Sequence, residues 1–230
     1  MNRLVLFDID GTLLSAAGAA APPFRQALEA VFGTAGPLEG YSFAGRTDPE
    51  IATDLLTSAG LAAQEIEAGL ERVWALYLQG LEASLRTATV RVLPGIPRLL
   101  DTLHAHPAVV LGLLTGNLRE GARLKIDAAG LGFDRFLVGA FGSDHAERPA
   151  LPAIAVQRAE ALLGRRFHGQ EVVIIGDTPR DVACGAHLGV RTIAVATGSY
   201  GREELAECGP DVVFETLERT EEVVEEILGR

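Results

Sequence analysis

The chain has 230 residues, of which 48% are apolar and 22% charged, enough for a core domain with a smaller insert and an ordinary balance for a soluble protein. Its formal net charge of −11 argues against nucleic acid or an anionic membrane as the main partner. An anionic small molecule stays admissible, because a local cation or metal reverses the sign inside a pocket.

In chain order, Arg3 to Phe7 is a short apolar run that stops at Asp8-Ile9-Asp10-Gly11, as a buried parallel strand stops at a polar loop. The next such run is Val109 to Leu114. Between them the pattern is helical only, over Phe24 to Phe32, Pro49 to Ser58 and Glu65 to Ser84, with Asp48 expected as the N-cap before Pro49. From about residue 95, strand and helix alternate. Helices are expected over Ile96 to Ala105, Glu120 to Ala129, Pro152 to Leu163 and Asp181 to Leu188. Strands are expected over Val172 to Ile175, Thr192 to Val195 and Val212 to Phe214. An amphipathic last helix carries Val223, Val224, Ile227 and Leu228.

This pattern predicts an α/β fold, a doubly wound parallel sheet with helices on both faces. Residues 1–14 and 93–230 would form the core. Residues 15–92 would form a small all-helical cap inserted after the first strand, hinged at Ser15 to Ala21 and at Val92 to Gly95. No apolar stretch reaches the roughly 20 residues of a membrane span. The start of the chain lacks the basic region, apolar run and cleavage site of a signal peptide. Cys184 and Cys208 have no metal-ligand spacing and read as small residues of a reduced protein, so a cytoplasmic location is expected, as a monomer or homodimer.

In such sheets ligands bind outside the carboxyl ends of the strands. Asp8, Asp10, Thr115 and Asp177 all fall at such ends and would converge despite their distance in sequence. Gathering carboxylates is costly unless a cation joins them, and oxygen ligands from aspartate suit a hard ion such as magnesium.

Three stretches carry a resemblance. Asp8-Ile9-Asp10-Gly11-Thr12-Leu13, Leu113-Leu114-Thr115-Gly116-Asn117 and Ile174-Ile175-Gly176-Asp177-Thr178-Pro179-Arg180-Asp181 resemble the first, second and fourth motifs of haloacid dehalogenase-type hydrolases, in the family's order. The resemblance implies a magnesium-dependent phosphatase acting on a small phosphorylated metabolite, phosphoglycolate or a sugar phosphate. Asp8 would attack phosphorus, and Asp10 would protonate the leaving alcohol and then take a proton from water. Thr115 and backbone amides near Gly116 and Asn117 would bind phosphate. Asp8, the Asp10 carbonyl and Asp177 would hold Mg2+, with Thr12 bracing the turn and Asp181 orienting a metal-bound water or the metal loop. Arg46, in the cap loop Gly45-Arg46-Thr47-Asp48, would pair with a carboxylate or second phosphate of the substrate.

The third motif departs from the family. Relatives carry a lysine in a Lys-Pro-x-Pro stretch; here Glu147-Arg148-Pro149-Ala150-Leu151-Pro152 offers Arg148, one position off. Of the 20 basic residues, 19 are arginine and only Lys125 is lysine, which points to a site that needs a compact ammonium. Lys125 is expected to reach Asp8 and phosphate, leaving Arg148 to buttress an acid such as Asp144, with Arg148 as the second choice for the cation at the site. Trp74 and Tyr77 read as packing residues.

Other readings separate on single residues. Dehalogenases lack the second acid that Asp10 supplies, and a lysine Schiff base in the cap is excluded because residues 15–92 hold no lysine. A sugar phosphomutase shares all the core residues and stays open. A non-enzymatic binding module would be expected to have lost Asp8, Asp10 or Asp177. A receiver domain shares the acids but has neither the helical insert nor the Asp-x-Asp-Gly-Thr order.

Overall fold

β1 (Arg3–Phe7) leads through a two-residue β2 (Leu14–Ser15) into α1 (Ala21–Phe32), α2 (Asp48–Ser58) and α3 (Ala63–Leu85) of a computed structural model that describes residues 2–229. β3 (Arg91–Val92) returns the chain to α4 (Ile96–Ala105) and β4 (Val109–Thr115). There follow α5 (Arg119–Ala128), β5 (Val138–Phe141), α6 (Leu151–Leu163), β6 (Val172–Gly176) and α7 (Pro179–Cys184). β7 (Arg191–Val195), α8 (Arg202–Glu207), β8 (Val212–Phe214) and α9 (Thr220–Leu228) complete the described fold.

Six strands form one sheet in the order β5-β4-β1-β6-β7-β8, each pair parallel. This is the doubly wound α/β core read from the sequence. All five residues of β1 are buried, and the two-residue period of the strand divides them between faces. Val5 and Phe7 join the apolar cluster that includes Leu99 and Leu103 of α4 and Val223 and Ile227 of α9. Leu4 and Leu6 join the one built on Leu151 and Ala155 of α6. The chain winds outward from β1 through β4 to β5, then restarts on the other side at β6. That reversal opens a crevice at the carboxyl ends of β1, β4 and β6.

The helical insert leaves and re-enters the core side by side, because β2 and β3 pair antiparallel, Leu14 with Val92 and Ser15 with Arg91. α1 packs on α3. The Phe24 ring meets the Tyr77 ring edge-on at 5.2 Å, and Gly80 brings α3 against Pro23, where a Cβ would lie 2.7 Å from the proline Cβ. The insert is docked on the core by named contacts. Thr47 Oγ1 donates to the Ala146 carbonyl (2.5 Å), the Asp48 amide to the Gly116 carbonyl (2.8 Å), and the Leu118 amide to Asp48 Oδ2 (2.8 Å).

Several expectations are corrected. Thr47, not Asp48, caps α2: its hydroxyl accepts from the Glu50 amide, while the Asp48 carboxylate crosses to Leu118. The helix expected over Asp181 to Leu188 is α7 followed by a separate 3-10 turn at Ala186–Leu188. β5 and α8 were not expected. Among the described residues no helix is long and apolar enough to cross a membrane.

Candidate active site

Asp8 follows β1, Thr115 closes β4 and Asp177 follows β6, so three neighbouring strands deliver them to one cavity of about 720 Å³. The turn after β1 decides the local geometry. The amides of Leu13 and Leu14 both donate to the Ile9 carbonyl, and Gly11 adopts φ +86°, which L side chains rarely take. A Cβ on Gly11 would also stand 2.2 Å from Asp177 Oδ2. Glycine is therefore required twice, for the turn and for the approach of the carboxylate. Thr12 Oγ1 then donates to Asp177 Oδ1 at 2.9 Å and ties the first motif to the fourth.

Asp10 lies on the open side, its side chain 44% exposed, and Lys125 Nζ donates to its Oδ2 at 2.6 Å. The same ammonium donates to Asn117 Oδ1 (2.6 Å), and Asn117 Nδ2 donates to both Asp10 Oδ2 (2.8 Å) and Thr115 Oγ1 (2.8 Å). Lys125, Asn117, Asp10 and Thr115 thus form one network. The expectation that Lys125 would reach Asp8 is corrected: it holds Asp10.

The cation at Asp8 is Arg148, whose Nη2 donates to Asp8 Oδ1 at 3.0 Å and also to Asp181 Oδ1. The expected pairing of Arg148 with Asp144 is not what the fold makes. Asp144 is taken by Arg158 through two hydrogen bonds of 2.6 and 2.8 Å, while the 3-10 turn at Arg148–Ala150 sends Arg148 inward. Burial alone would lower the Arg148 pKa, but Asp181 and Asp8 more than offset this and keep it charged. Asp181 also closes the first turn of α7, its Oδ2 accepting from the Thr178 amide (3.0 Å) and hydroxyl (2.6 Å).

Asp8, Asp177 and Asp181 bring carboxylate oxygens within 4.8 Å of one another. Burial pushes Asp8 up to about 7 against the pull of Arg148, with Asp181 and Asp10 adding to the rise. It pushes Asp177 up to about 8, with Asp8 and Asp181 again adding. Among the described residues nothing donates to Asp8 Oδ2 or to Asp177 Oδ2, so each buried carboxylate keeps one oxygen free. An oxygen-only donor set of this charge fits a hard divalent cation.

A stability consequence follows. Both folded pKa values lie above the ordinary aspartate value of 3.8, so the folded protein binds more protons than the unfolded chain between about pH 4 and pH 8. The contribution of these groups is present at low pH and is lost as pH rises through the folded values. In chelator, the thermal midpoint is expected to fall from about pH 5 to about pH 8, and added magnesium to raise it more at the higher pH. A midpoint indifferent to magnesium at both pH values would remove the cation from this site.

Arg46 lines the cavity but its Nη1 donates to Glu50 Oε1 (2.7 Å) and Asp54 Oδ2 (2.6 Å), and its guanidinium carbon lies 5.3 Å from the centre of the Tyr41 ring. Asp48 and Tyr77 are among the cavity residues that the sequence did not mark as such. Asp48 is buried and pushed up to about 6 by burial, opposed by Lys125 and the Leu118 amide; its place in a Gly-Arg-Thr-Asp loop is the only signal it gave. Tyr77 packs on Phe24 as expected and also lines the cavity.

The sequence matches haloacid dehalogenase-like hydrolases over residues 5–195. The chain belongs to the haloacid dehalogenase-like hydrolase family. Within that family it is similar to the phosphoglycolate phosphatase of Rhodospirillum rubrum, at 30% identity over 94% of this chain and 88% of that one. It is similar also to the phosphoglycolate phosphatase of Synechococcus elongatus, at 26% identity over 93% of each. The hydrolase fold is shared with CbbY from Rhodobacter sphaeroides, solved with phosphate, with a TM-score of 0.73 and 20% identity over 95% of this chain and 96% of that one.

Proposed function

We propose that the protein is a magnesium-dependent phosphatase that hydrolyses a small phosphomonoester through an aspartyl-phosphate on Asp8. The observation that carries this reading is the meeting of a buried carboxylate, Asp8, a cavity-facing carboxylate held by lysine, Asp10, and a hydroxyl, Thr115, at neighbouring strand ends. The phosphoglycolate phosphatases of Rhodospirillum rubrum and Synechococcus elongatus support phosphomonoester hydrolysis as the reaction class. In this reading residues 1–14 and 93–230 are the catalytic core and 15–92 the cap over it.

Asp8 attacks phosphorus, the bond from phosphorus to the leaving oxygen breaks, and Asp10 gives that oxygen a proton. Since Asp10 Oδ2 is committed to Lys125 and Asn117, Oδ1 is the atom left to carry the proton. Water then attacks the phosphorus on Asp8, Asp10 takes its proton, and inorganic phosphate leaves with Asp8 restored. Thr115 Oγ1 accepts from Asn117 and keeps its own hydrogen for a phosphate oxygen, beside the amides near Gly116. Arg148 fixes the attacking carboxylate, while Thr12 and Asp181 hold the loop of Asp177. Asp8, Asp177 and the Asp10 carbonyl would hold magnesium, which when bound supplies positive charge against the phosphate oxygens and the ionised carboxylates.

Phosphate release from a panel of small phosphomonoesters, with and without magnesium, tests the reading. Free phosphate released only with magnesium is the expected result; an isomerised sugar phosphate without release would make the protein a phosphomutase. Lys125→Arg tests the acid–base half. A guanidinium cannot occupy the buried space of an ammonium held 2.6 Å from two oxygens, so kcat is expected to fall about tenfold or more, with a displaced pH profile. Near-normal turnover would take Lys125 out of the site.

A further inference from the structure

Three cationic side chains line the cavity among the described residues, Arg46, Lys125 and Arg148, and each is already matched by carboxylates. Lys125 is committed to Asp10, and Arg148 to Asp8 and Asp181. Arg46, the one cation on the insert side, is held by Glu50 and Asp54, and Arg180 joins Glu50 at 3.2 Å. These four residues carry two positive and two negative charges, so the group that faces the leaving-group end of the cavity is neutral. A substrate carboxylate there would meet no uncompensated cation.

Apart from Asp48, which the Leu118 amide holds, the rest of that wall is uncharged. Tyr77 is 1% exposed and lines the cavity, yet among the described residues its hydroxyl makes no hydrogen bond. That hydroxyl opens onto the cavity with no protein group bonded to it, so a ligand hydroxyl set against it would gain a hydrogen bond. Ser42 and Ser199 offer further hydroxyls, and Phe24, Phe43 and Tyr200 supply apolar faces. The cavity, at about 720 Å³, is also roomy for a two-carbon leaving group.

Resting on the phosphatase reading, we infer that the leaving group is an uncharged, hydroxyl-bearing alcohol, read by the Tyr77 hydroxyl, and that the Arg46–Glu50–Asp54 cluster selects against carboxylates. This narrows the choice between phosphoglycolate and a sugar phosphate towards the latter chemistry.

The test compares kcat/KM for ribose 5-phosphate, pentyl phosphate and 2-phosphoglycolate. The wild type is expected to prefer ribose 5-phosphate to 2-phosphoglycolate by about tenfold or more. Tyr77→Phe is expected to lower the ratio of ribose 5-phosphate to pentyl phosphate about tenfold, a readout that a merely structural role would not move. Glu50→Gln combined with Asp54→Asn frees Arg46 and is expected to raise turnover of 2-phosphoglycolate about tenfold. Preference of the wild type for 2-phosphoglycolate, or an unchanged ratio in Tyr77→Phe, would overturn the inference. Inertness of all three esters, and of p-nitrophenyl phosphate, would count against the phosphatase reading instead. The ranking of the same esters by calorimetric binding to the Asp8→Asn variant would then decide the inference on its own.

Discussion

Asp8→Asn is expected to abolish phosphate release, by about four orders of magnitude or more, in a protein that still folds. Asparagine matches aspartate in size, so Arg148 keeps an oxygen to bond and the packing at the end of β1 is retained. What is lost is the nucleophile: an amide oxygen does not form the acyl phosphate on which both steps depend. Burial also works in favour of the neutral amide, since the native carboxyl is pushed up to about 7. In chelator the variant is therefore expected to melt no lower than the wild type at about pH 8, and higher if the released desolvation cost dominates. Colorimetric phosphate release and thermal melts check the two halves separately. Full activity in Asp8→Asn would end the mechanism outright.

Arg148→Met is expected to cost about 3–5 kcal/mol of stability and nearly all activity, because it strips the shared cation from two buried carboxylates. Arg148 is 2% exposed and its Nη2 serves Asp8 and Asp181 together, so both are left uncompensated. For a chain of this size that corresponds to a fall of roughly 10 °C in Tm. The fall should be smaller at about pH 6 than at about pH 8, since part of the cost is relieved when Asp8 takes a proton. Magnesium should also reduce it, by supplying charge at the same cluster. A melt unchanged by the substitution would show that Arg148 is not the charge that holds Asp8.

Much of the core was legible because its strands announce themselves. β1, β4 and β6 are apolar runs that end at Asp8, Thr115 and Asp177, and the parallel sheet needs nothing else to bring those ends together. β5 was not legible: Val138-Gly139-Ala140-Phe141 is four residues long and half of it is glycine and alanine. α8 has six residues of which only Leu205 is buried, so it leaves no periodic stripe.

The partners of the cations were the least legible part. Asp144 stands four residues before Arg148 and is the nearer acid in sequence, yet α6 presents Arg158 to it and the turn at Arg148–Ala150 faces the core. The lone lysine marked the right place for a compact cation. Its actual bond is to Asp10 and Asn117, and this depends on how α5 packs against α3 and β5, which composition does not encode. Asp48 illustrates the same limit. Both Thr47 and Asp48 suit an N-cap, and the choice was made by an amide 70 residues away, at Leu118.

The central claim is that phosphate passes through Asp8. Asp10→Ala removes the acid of the first step and the base of the second; with p-nitrophenyl phosphate, whose leaving group needs no proton, the first step persists while the second slows, so the phosphorylated protein accumulates. Acid quenching of this variant shortly after mixing with substrate and magnesium, followed by mass spectrometry of its peptides, locates the phosphoryl group directly. A phosphoryl group on the peptide that contains Asp8, absent when Asp8→Asn is added to the variant, is the predicted result. Phosphate release that proceeds with Asp8 unmodified throughout would contradict the account.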